Sequence, residues 1–277
     1  MQQHYLQFPW FGQHYTVGYR AYGDAANPNV LLCVHGISRN ARDFDTIGEA
    51  LADRYYVIAV DMPGRGRSDW MDDKIHYGYP LYETVAGEII AMAGVPHVDW
   101  IGTSMGGVIG MRVAAMANSP IRRLVLNDIG PFIPAAGRRQ NGQSFGLDTR
   151  FASEAEGVRW VRANRTAFGP FTDAQWEKFG RDSLRQISDT EWGLDYDPGL
   201  AETRSMDDHS AWDQWERIAC PVLCVWGLDS VLLTPETVAR MRTTGPKAQI
   251  HEVPGVGHCP GLVDQPQIQA IRRFLTA

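Results

Sequence analysis

The chain lacks most of what would tie it to nucleic acid, a membrane or a disulfide scaffold. Basic residues are in deficit: Lys+Arg is 26 against Asp+Glu 32, for a formal net charge of −6 over 277 residues. A mildly acidic surface repels phosphate backbones, so no nucleic-acid partner is expected. No run approaches the ~18 uncharged apolar residues that a membrane helix needs. The first residues, Met1-Gln-Gln-His-Tyr, show no basic stretch followed by an apolar one, so they do not read as a secretory signal. Cysteine is scarce at four residues. Cys33 lies in an apolar run. Cys220 and Cys224, if on one strand, stand about 13 Å apart, too far for a disulfide. The cysteines therefore read as small buried hydrophobes. No Cys/His spacing resembles a zinc site, and a reducing, cytoplasmic setting is expected.

What is present is ordinary globular composition, 44% apolar and 21% charged, which excludes a disordered chain. The length suits one large core with an insert. An opening hairpin is expected at 6–8 and 15–22, then strands at 30–34, 56–60, 98–102, 124–127, 222–226 and 250–253. These runs are rich in Val, Ile and Leu without polar alternation, as in a parallel sheet buried on both faces. Amphipathic helix patterns at 42–53, 81–93, 105–117, 237–243 and 266–276 alternate with them. The expected fold is α/β: a mostly parallel eight-stranded sheet covered by helices. The alternation breaks between 132 and 217, where no strand is apparent and helix patterns fall at 154–168, 173–187 and 212–218. This predicts a core of residues 1–131 and 218–277 with a helical cap, 132–217, inserted after strand six. Five of the nine tryptophans lie in that insert. Ligand sites favour seams between layers, so several of these tryptophans are expected to line an apolar pocket there.

The sharpest chemical signal is Gly102-Thr-Ser104-Met-Gly106, a G-x-S-x-G pattern with an apolar strand before it and a helix pattern after it. That setting makes a nucleophile elbow, which holds a serine in a strained strand-to-helix turn. A serine hydroxyl needs a base to take its proton. Of eight histidines, His258, in Val253-Pro-Gly-Val-Gly-His258-Cys-Pro, alone follows the last strand on a shaped loop at the carboxyl end of the sheet. An oxyanion hole needs two backbone N–H groups. Met105, after the nucleophile, supplies one, and the loop Cys33-Val-His35-Gly36-Ile37-Ser38-Arg39 supplies the other, with Ile37 as the donor. His35 is expected to anchor this loop rather than act as a base.

These pieces, with Asp61-Met-Pro-Gly64-Arg-Gly66-Arg-Ser68-Asp69, stand in the order and spacing of the α/β-hydrolase fold superfamily, which the chain resembles over about residues 25–130 and 215–275. The resemblance implies hydrolysis through a covalent serine ester, with Ser104 attacking a carbonyl, His258 moving the proton, and no metal or organic cofactor. It makes the Asp61–Asp69 segment a turn after a strand rather than a phosphate cradle. Dehalogenases and epoxide hydrolases of this fold carry aspartate in place of Ser104, so a carboxylesterase-like enzyme acting on an ester, lactone or thioester of a small, largely apolar molecule is implied. A carbon–carbon bond hydrolase is the runner-up, although Ile37-Ser-Arg-Asn lacks its longer glycine-rich stretch. A non-catalytic ligand-binding member of the fold is the reading from another class. Arg39 is the exception to an apolar pocket, as a residue able to hold a carboxylate.

The acid departs from the common pattern. In most relatives it stands three residues beyond a glycine that ends the seventh strand, but three residues beyond Gly227 is Ser230. Asp229 is one residue early. Asp128, in Leu124-Val-Leu-Asn127-Asp128-Ile, stands directly at the end of the sixth strand. Asp128 is favoured, because a strand end fixes a side chain more rigidly than a displaced turn, and Asp229 is the alternative.

Overall fold

The computed structural model describes residues 1–143 and 145–277. The chain runs through β1 (Gln2–Trp10), β2 (Gln13–Tyr22), β3 (Val30–Val34), α1 (Asp45–Leu51), β4 (Tyr56–Val60), α2 (Tyr79–Ala93), β5 (Val98–Thr103), α3 (Met105–Ala114) and β6 (Ile121–Asn127). A segment of mixed structure follows: β7 (Phe132–Ile133), α4 (Ala135–Asn141), β8 (Arg150–Phe151), α5 (Glu154–Asn164), α6 (Asp173–Asp182), β9 (Leu184–Ser188), β10 (Glu191–Leu194), β11 (His209–Ser210) and α7 (Trp212–Trp215). The chain then completes the sheet with β12 (Val222–Gly227), α8 (Pro235–Met241), β13 (Gln249–Val253) and α9 (Gln265–Thr276).

Eight strands form one sheet in the order β1-β2-β4-β3-β5-β6-β12-β13. The β1–β2 and β2–β4 pairs are antiparallel and the rest are parallel. Its core is the period-two geometry of the strand written twice. Val30, Leu32, Val34, Ile58, Val60, Leu124, Leu126, Val222 and Cys224 face α2, α3 and α8. Their neighbours Leu31, Cys33, Val57, Ala59, Val125, Leu223 and Val225 face α1 and α9. With both faces covered, the central strands have no polar side to display, and this is why their sequence shows no alternation. All four cysteines are free, and Cys33 and Cys224 lie in the central strands, buried among these hydrophobes. Among the described residues no helix is long and apolar enough to cross a membrane.

The segment between β6 and β12 corrects the expectation of an all-helical insert. It holds a three-stranded antiparallel sheet, β8-β10-β9, and a two-stranded one, β7-β11. The helix pattern at 173–187 stops at Asp182; Leu184–Ser188 turns back through Asp189-Thr190 and pairs with Glu191–Leu194. Strands of two to five residues are too short for a periodicity to emerge, and their pairing is a tertiary choice that local pattern does not carry.

The carboxyl ends of β3 and β4 are tied together by His35. Its Nδ1 lies 2.7 Å from the Gly36 carbonyl and therefore carries the proton, while Nε2 accepts the Met62 N–H at 3.0 Å. The ring is completely buried, and burial, helped by the nearby Arg65 guanidinium, pushes its pKa down to about 3. A second proton on Nε2 would face the Met62 N–H, so the folded chain keeps His35 neutral where an unfolded one takes up a proton near pH 6.5. The unfolded state thus binds more protons below that point. The His35 contribution to stability is full above about pH 6.5 and is lost as pH falls toward about 3. In urea unfolding between about pH 7.5 and about pH 5, wild-type stability is expected to fall more steeply than that of His35→Gln. The difference should approach one proton, about 1.4 kcal/mol per pH unit. Equal slopes would contradict this.

Candidate active site

Ser104 sits at the junction of β5 and α3 with φ 50° and ψ −113°, a backbone conformation that side-chain-bearing residues rarely adopt. Close backbone approach is what the flanking glycines permit. A Cβ on Gly102 would stand 2.3 Å from the Gly106 carbonyl oxygen, and one on Gly106 would stand 2.0 Å from that of Val34. The Ser104 N–H donates to the Asn127 carbonyl at 3.1 Å, so the turn is registered on the end of β6.

The structure brings Ser104, His258 and Asp128 together. Ser104 Oγ lies 2.9 Å from His258 Nε2, and His258 Nδ1 lies 2.7 Å from Asp128 Oδ2. The histidine ring and the carboxylate are both buried. Asp128 is the residue after β6, with φ 53°, and its own N–H is held by the Val225 carbonyl of β12 at 2.8 Å. Its Oδ1 accepts the Gly227 N–H at 2.8 Å, and its Oδ2 accepts the Ser230 hydroxyl at 2.6 Å. The Ser230 oxygen itself accepts the N–H groups of Leu232 and Leu233 at 3.2 and 3.1 Å, which leaves its proton for the carboxylate. Ser230, at the place where the common pattern has an acid, is therefore a hydrogen-bond partner of Asp128. Sequence reasoning passed over it because it weighed only charge. Asp229 is exposed and lines the cavity over Ser104 rather than reaching the imidazole.

Ile37 and Met105 flank the serine. Among the described residues neither backbone N–H has a protein acceptor. The Ile37 loop is held from below by Arg65, a fully buried guanidinium that also escaped the sequence reading. Its Nε donates to the Ile37 carbonyl at 2.9 Å, and its Nη1 donates to the Pro63 carbonyl at 2.7 Å and to the Tyr82 hydroxyl at 2.9 Å. The Gly64-Arg65-Gly66 turn is thus a brace for the loop. Asp61, at the start of the same turn, accepts the N–H groups of Ala41 and Arg67 at 2.7 and 3.0 Å; burial nevertheless pushes its carboxyl up to about 6.

A cavity of about 310 Å³ opens over Ser104 between the sheet and the 132–217 segment. Its lining corrects the expectation of tryptophans there: among the described residues no tryptophan reaches it, and Gln140, Asn141, Gln143, Arg165 and Arg204 share it with Phe145, Phe168 and Val231. Four of the segment's five tryptophans are packing residues, and Trp192 lines a separate cavity beside Arg42, Arg67 and Asp195. Trp176 meets Phe171 edge-on at 5.0 Å, Trp160 lies 5.8 Å from Phe151, Trp215 is buried, and Trp212 lies under Arg240. Large aromatic rings satisfy the core of a small layer first, and composition does not say which layer they face. Arg39 borders the cavity but is already committed. Its guanidinium is buried, bonds both Asp43 oxygens at 3.0 Å through Nε, also donates to Ser183, and stacks 3.7 Å from the Phe179 ring centre. Among the described residues no cluster of three His, Cys, Asp or Glu has the arrangement of a metal site.

The profile of the alpha/beta hydrolase family matches residues 31–270. The chain is 41% identical over 273 residues to a 3-hydroxybutyrate-oligomer hydrolase of Cupriavidus necator, covering 95% of this chain and 93% of that one. It is 27% identical over 256 residues to an esterase of Mycobacterium tuberculosis, covering 90% and 83% of the two. Among solved structures, a putative hydrolase from Rickettsia typhi superimposes with a TM-score of 0.93 at 28% identity, over 100% of this chain and 99% of that one. The sheet order, the serine turn and the extent of these matches agree: the chain belongs to the alpha/beta hydrolase family.

Proposed function

We propose that the protein is a serine hydrolase that cleaves the ester bonds of short hydroxyacyl esters through an acyl-enzyme intermediate. The observation that carries this reading is the continuous hydrogen-bond chain from Ser104 through His258 to Asp128, with the unpaired N–H groups of Ile37 and Met105 beside it. In the first half of the reaction Ser104 Oγ bonds to the ester carbonyl carbon while its proton passes to His258 Nε2. The carbonyl oxygen becomes an oxyanion on the Ile37 and Met105 N–H groups. The C–O bond to the alcohol then breaks, and His258 returns the proton to the departing oxygen. In the second half water repeats the sequence and releases the acid and free Ser104. Asp128 holds the Nδ1–H tautomer of His258 and stabilises the imidazolium without taking the proton.

The substrate class rests on two supports. The Cupriavidus relative is named for hydrolysis of 3-hydroxybutyrate oligomers. The cavity over Ser104 mixes polar side chains such as Gln140, Asn141 and Arg204 with apolar ones, Ile37, Phe145 and Val231, as suits a hydroxyacyl chain that carries a methyl group and an ester carbonyl at every repeat. The same reading makes residues 132–217 a cap, since Gln140, Arg165 and Arg204 close the cavity that Ile37, Ser104 and His258 open from the sheet side.

With p-nitrophenyl butyrate as substrate, Ser104→Ala and His258→Ala are each expected to lower kcat about 10³–10⁶-fold with folding intact, and the double variant little further, because the two act as a unit. Retention of a tenth of the wild-type rate by folded Ser104→Ala would exclude the mechanism. Assayed side by side, Asp128→Asn should lose about 10⁴-fold in kcat, while Asp229→Asn loses far less. A collapse confined to Asp229→Asn would reassign the acid. Ser230→Ala removes one charge-assisted hydrogen bond from the Asp128 carboxylate and is expected to lower kcat about 10-fold or more with little change in KM. An unchanged kcat would make that hydroxyl a turn residue only.

A further inference from the structure

Among the described residues, two arginines in the cavity over Ser104, Arg165 and Arg204, form no ion pair with a carboxylate. Arg165 caps the carboxyl end of α5, and Arg204 follows the short turn Pro198–Ala201. The other half-buried or buried arginines nearby are engaged: Arg39 with Asp43, Arg42 with Asp195, and Arg65 with backbone carbonyls. The titratable groups around Arg204 are the cations Arg138 and Arg165 and the Tyr196 hydroxyl, and those around Arg165 are Tyr196 and Arg39. Burial is the largest cause that holds both guanidinium groups below the ordinary arginine pKa; the neighbouring cations add to it, and the Tyr196 hydroxyl beside both works the other way.

Arg204 is nevertheless seated rather than free. Its Nη2 donates to the Arg138 carbonyl at 3.2 Å and its guanidinium stands 5.0 Å from the Phe145 ring centre. A Cβ on Gly142 would come within 2.3 Å of its Nη1, so the chain leaves space for that group to lie along the end of α4. Among the described residues Asp229 is the one carboxylate lining the same cavity. Since Asp43 neutralises Arg39, two unpaired guanidinium groups face one carboxylate there, and the cavity is net positive. Held cations in a partly desolvated cleft are costly without an anion and select one when it arrives.

We propose that Arg165 and Arg204 form a carboxylate subsite that binds the free acid end of a linear hydroxyacyl oligoester and places the ester one repeat inward on Ser104. This rests on the ester-hydrolase reading above and narrows it. The enzyme then trims soluble, anionic oligomers from their carboxyl end, and neutral esters of the same length bind less well. Planar guanidinium groups suit a carboxylate because each offers two parallel N–H donors.

The test compares the linear dimer of 3-hydroxybutyrate, as the free acid, with the same dimer ending in a primary amide, which keeps the scissile ester and removes the charge. The wild-type protein is expected to favour the acid by about 10–100-fold in kcat/KM, mostly through KM. The preference should shrink as salt is raised. In the double variant Arg165→Gln with Arg204→Gln the ratio of the two kcat/KM values should approach one, whatever the change common to both substrates. A wild-type ratio near one, or a ratio unaltered in the folded double variant, would overturn the subsite while leaving the esterase reading intact. Failure of the wild-type protein to hydrolyse the acid, the amide or p-nitrophenyl butyrate would overturn the esterase reading and the subsite with it. Should the double variant not fold, competition on the wild-type protein decides. 3-Hydroxybutyrate should inhibit aryl-ester hydrolysis at concentrations about 10-fold or more below those its amide requires, and equal inhibition would refute the proposal.

Discussion

The Asp128 carboxylate is completely buried, yet it meets three hydrogen-bond donors, the Gly227 N–H, the Ser230 hydroxyl and His258 Nδ1. A lone buried carboxylate would be costly, and a fully bonded one is held in a single orientation. The donors come from three places in the chain: the end of β12, the turn beyond it, and the loop after β13. Because the Asp128 N–H bonds Val225 and the Ser104 N–H bonds Asn127, the carboxylate and the nucleophile turn are both registered on the ends of the central strands. Parallel neighbours deliver their carboxyl ends to one edge of the sheet, which is where such folds gather ligands. The left-handed backbone at both Ser104 and Asp128 is a local strain that this network of bonds offsets.

A second layer steadies the electrophilic side. Arg65 and His35 lie beneath the Ile37 loop, both fully buried; His35 is bonded to backbone, and Arg65 to two backbone carbonyls, the Tyr82 hydroxyl and the Met105 sulfur. His35 adds no charge because burial and Arg65 keep it neutral. Arg65 points its guanidinium at the carbonyl of Ile37, whose N–H is free. A guanidinium at that carbonyl polarises the loop that is proposed to meet the oxyanion, in a place where water does not screen it. The positive groups therefore fall into two sets: one braces the Ile37 loop, and the other, Arg165 and Arg204, faces the cavity over Ser104.

How much of this is legible in the sequence follows from how local each feature is. Strands β3 and β4 coincide with their apolar runs, because a strand buried on both faces leaves an uninterrupted signature. The serine turn and the Gly-His loop are equally readable, since glycine spacing reports backbone crowding directly. Asp128 and Asp229 are separated by a smaller margin, because both stand beyond strands that end at the same edge and only side-chain direction distinguishes them. The 132–217 segment is the part that local pattern misjudges. Two-residue strands have no period, and tryptophans that look like pocket residues pack into the layer itself. Arg165 and Arg204 are 39 positions apart and share no motif. Their common role exists only after α4, α5 and the loop beyond β10 have assembled, and no spacing announces it.

The central claim is that Ser104 is an activated nucleophile at the end of this sheet. The most direct measurement is covalent labelling of the folded protein with a fluorophosphonate, followed by peptide mass spectrometry. One adduct is expected, on the peptide that contains Ser104. Labelling at another residue, or no labelling of folded protein under conditions that modify a known serine esterase, would contradict it.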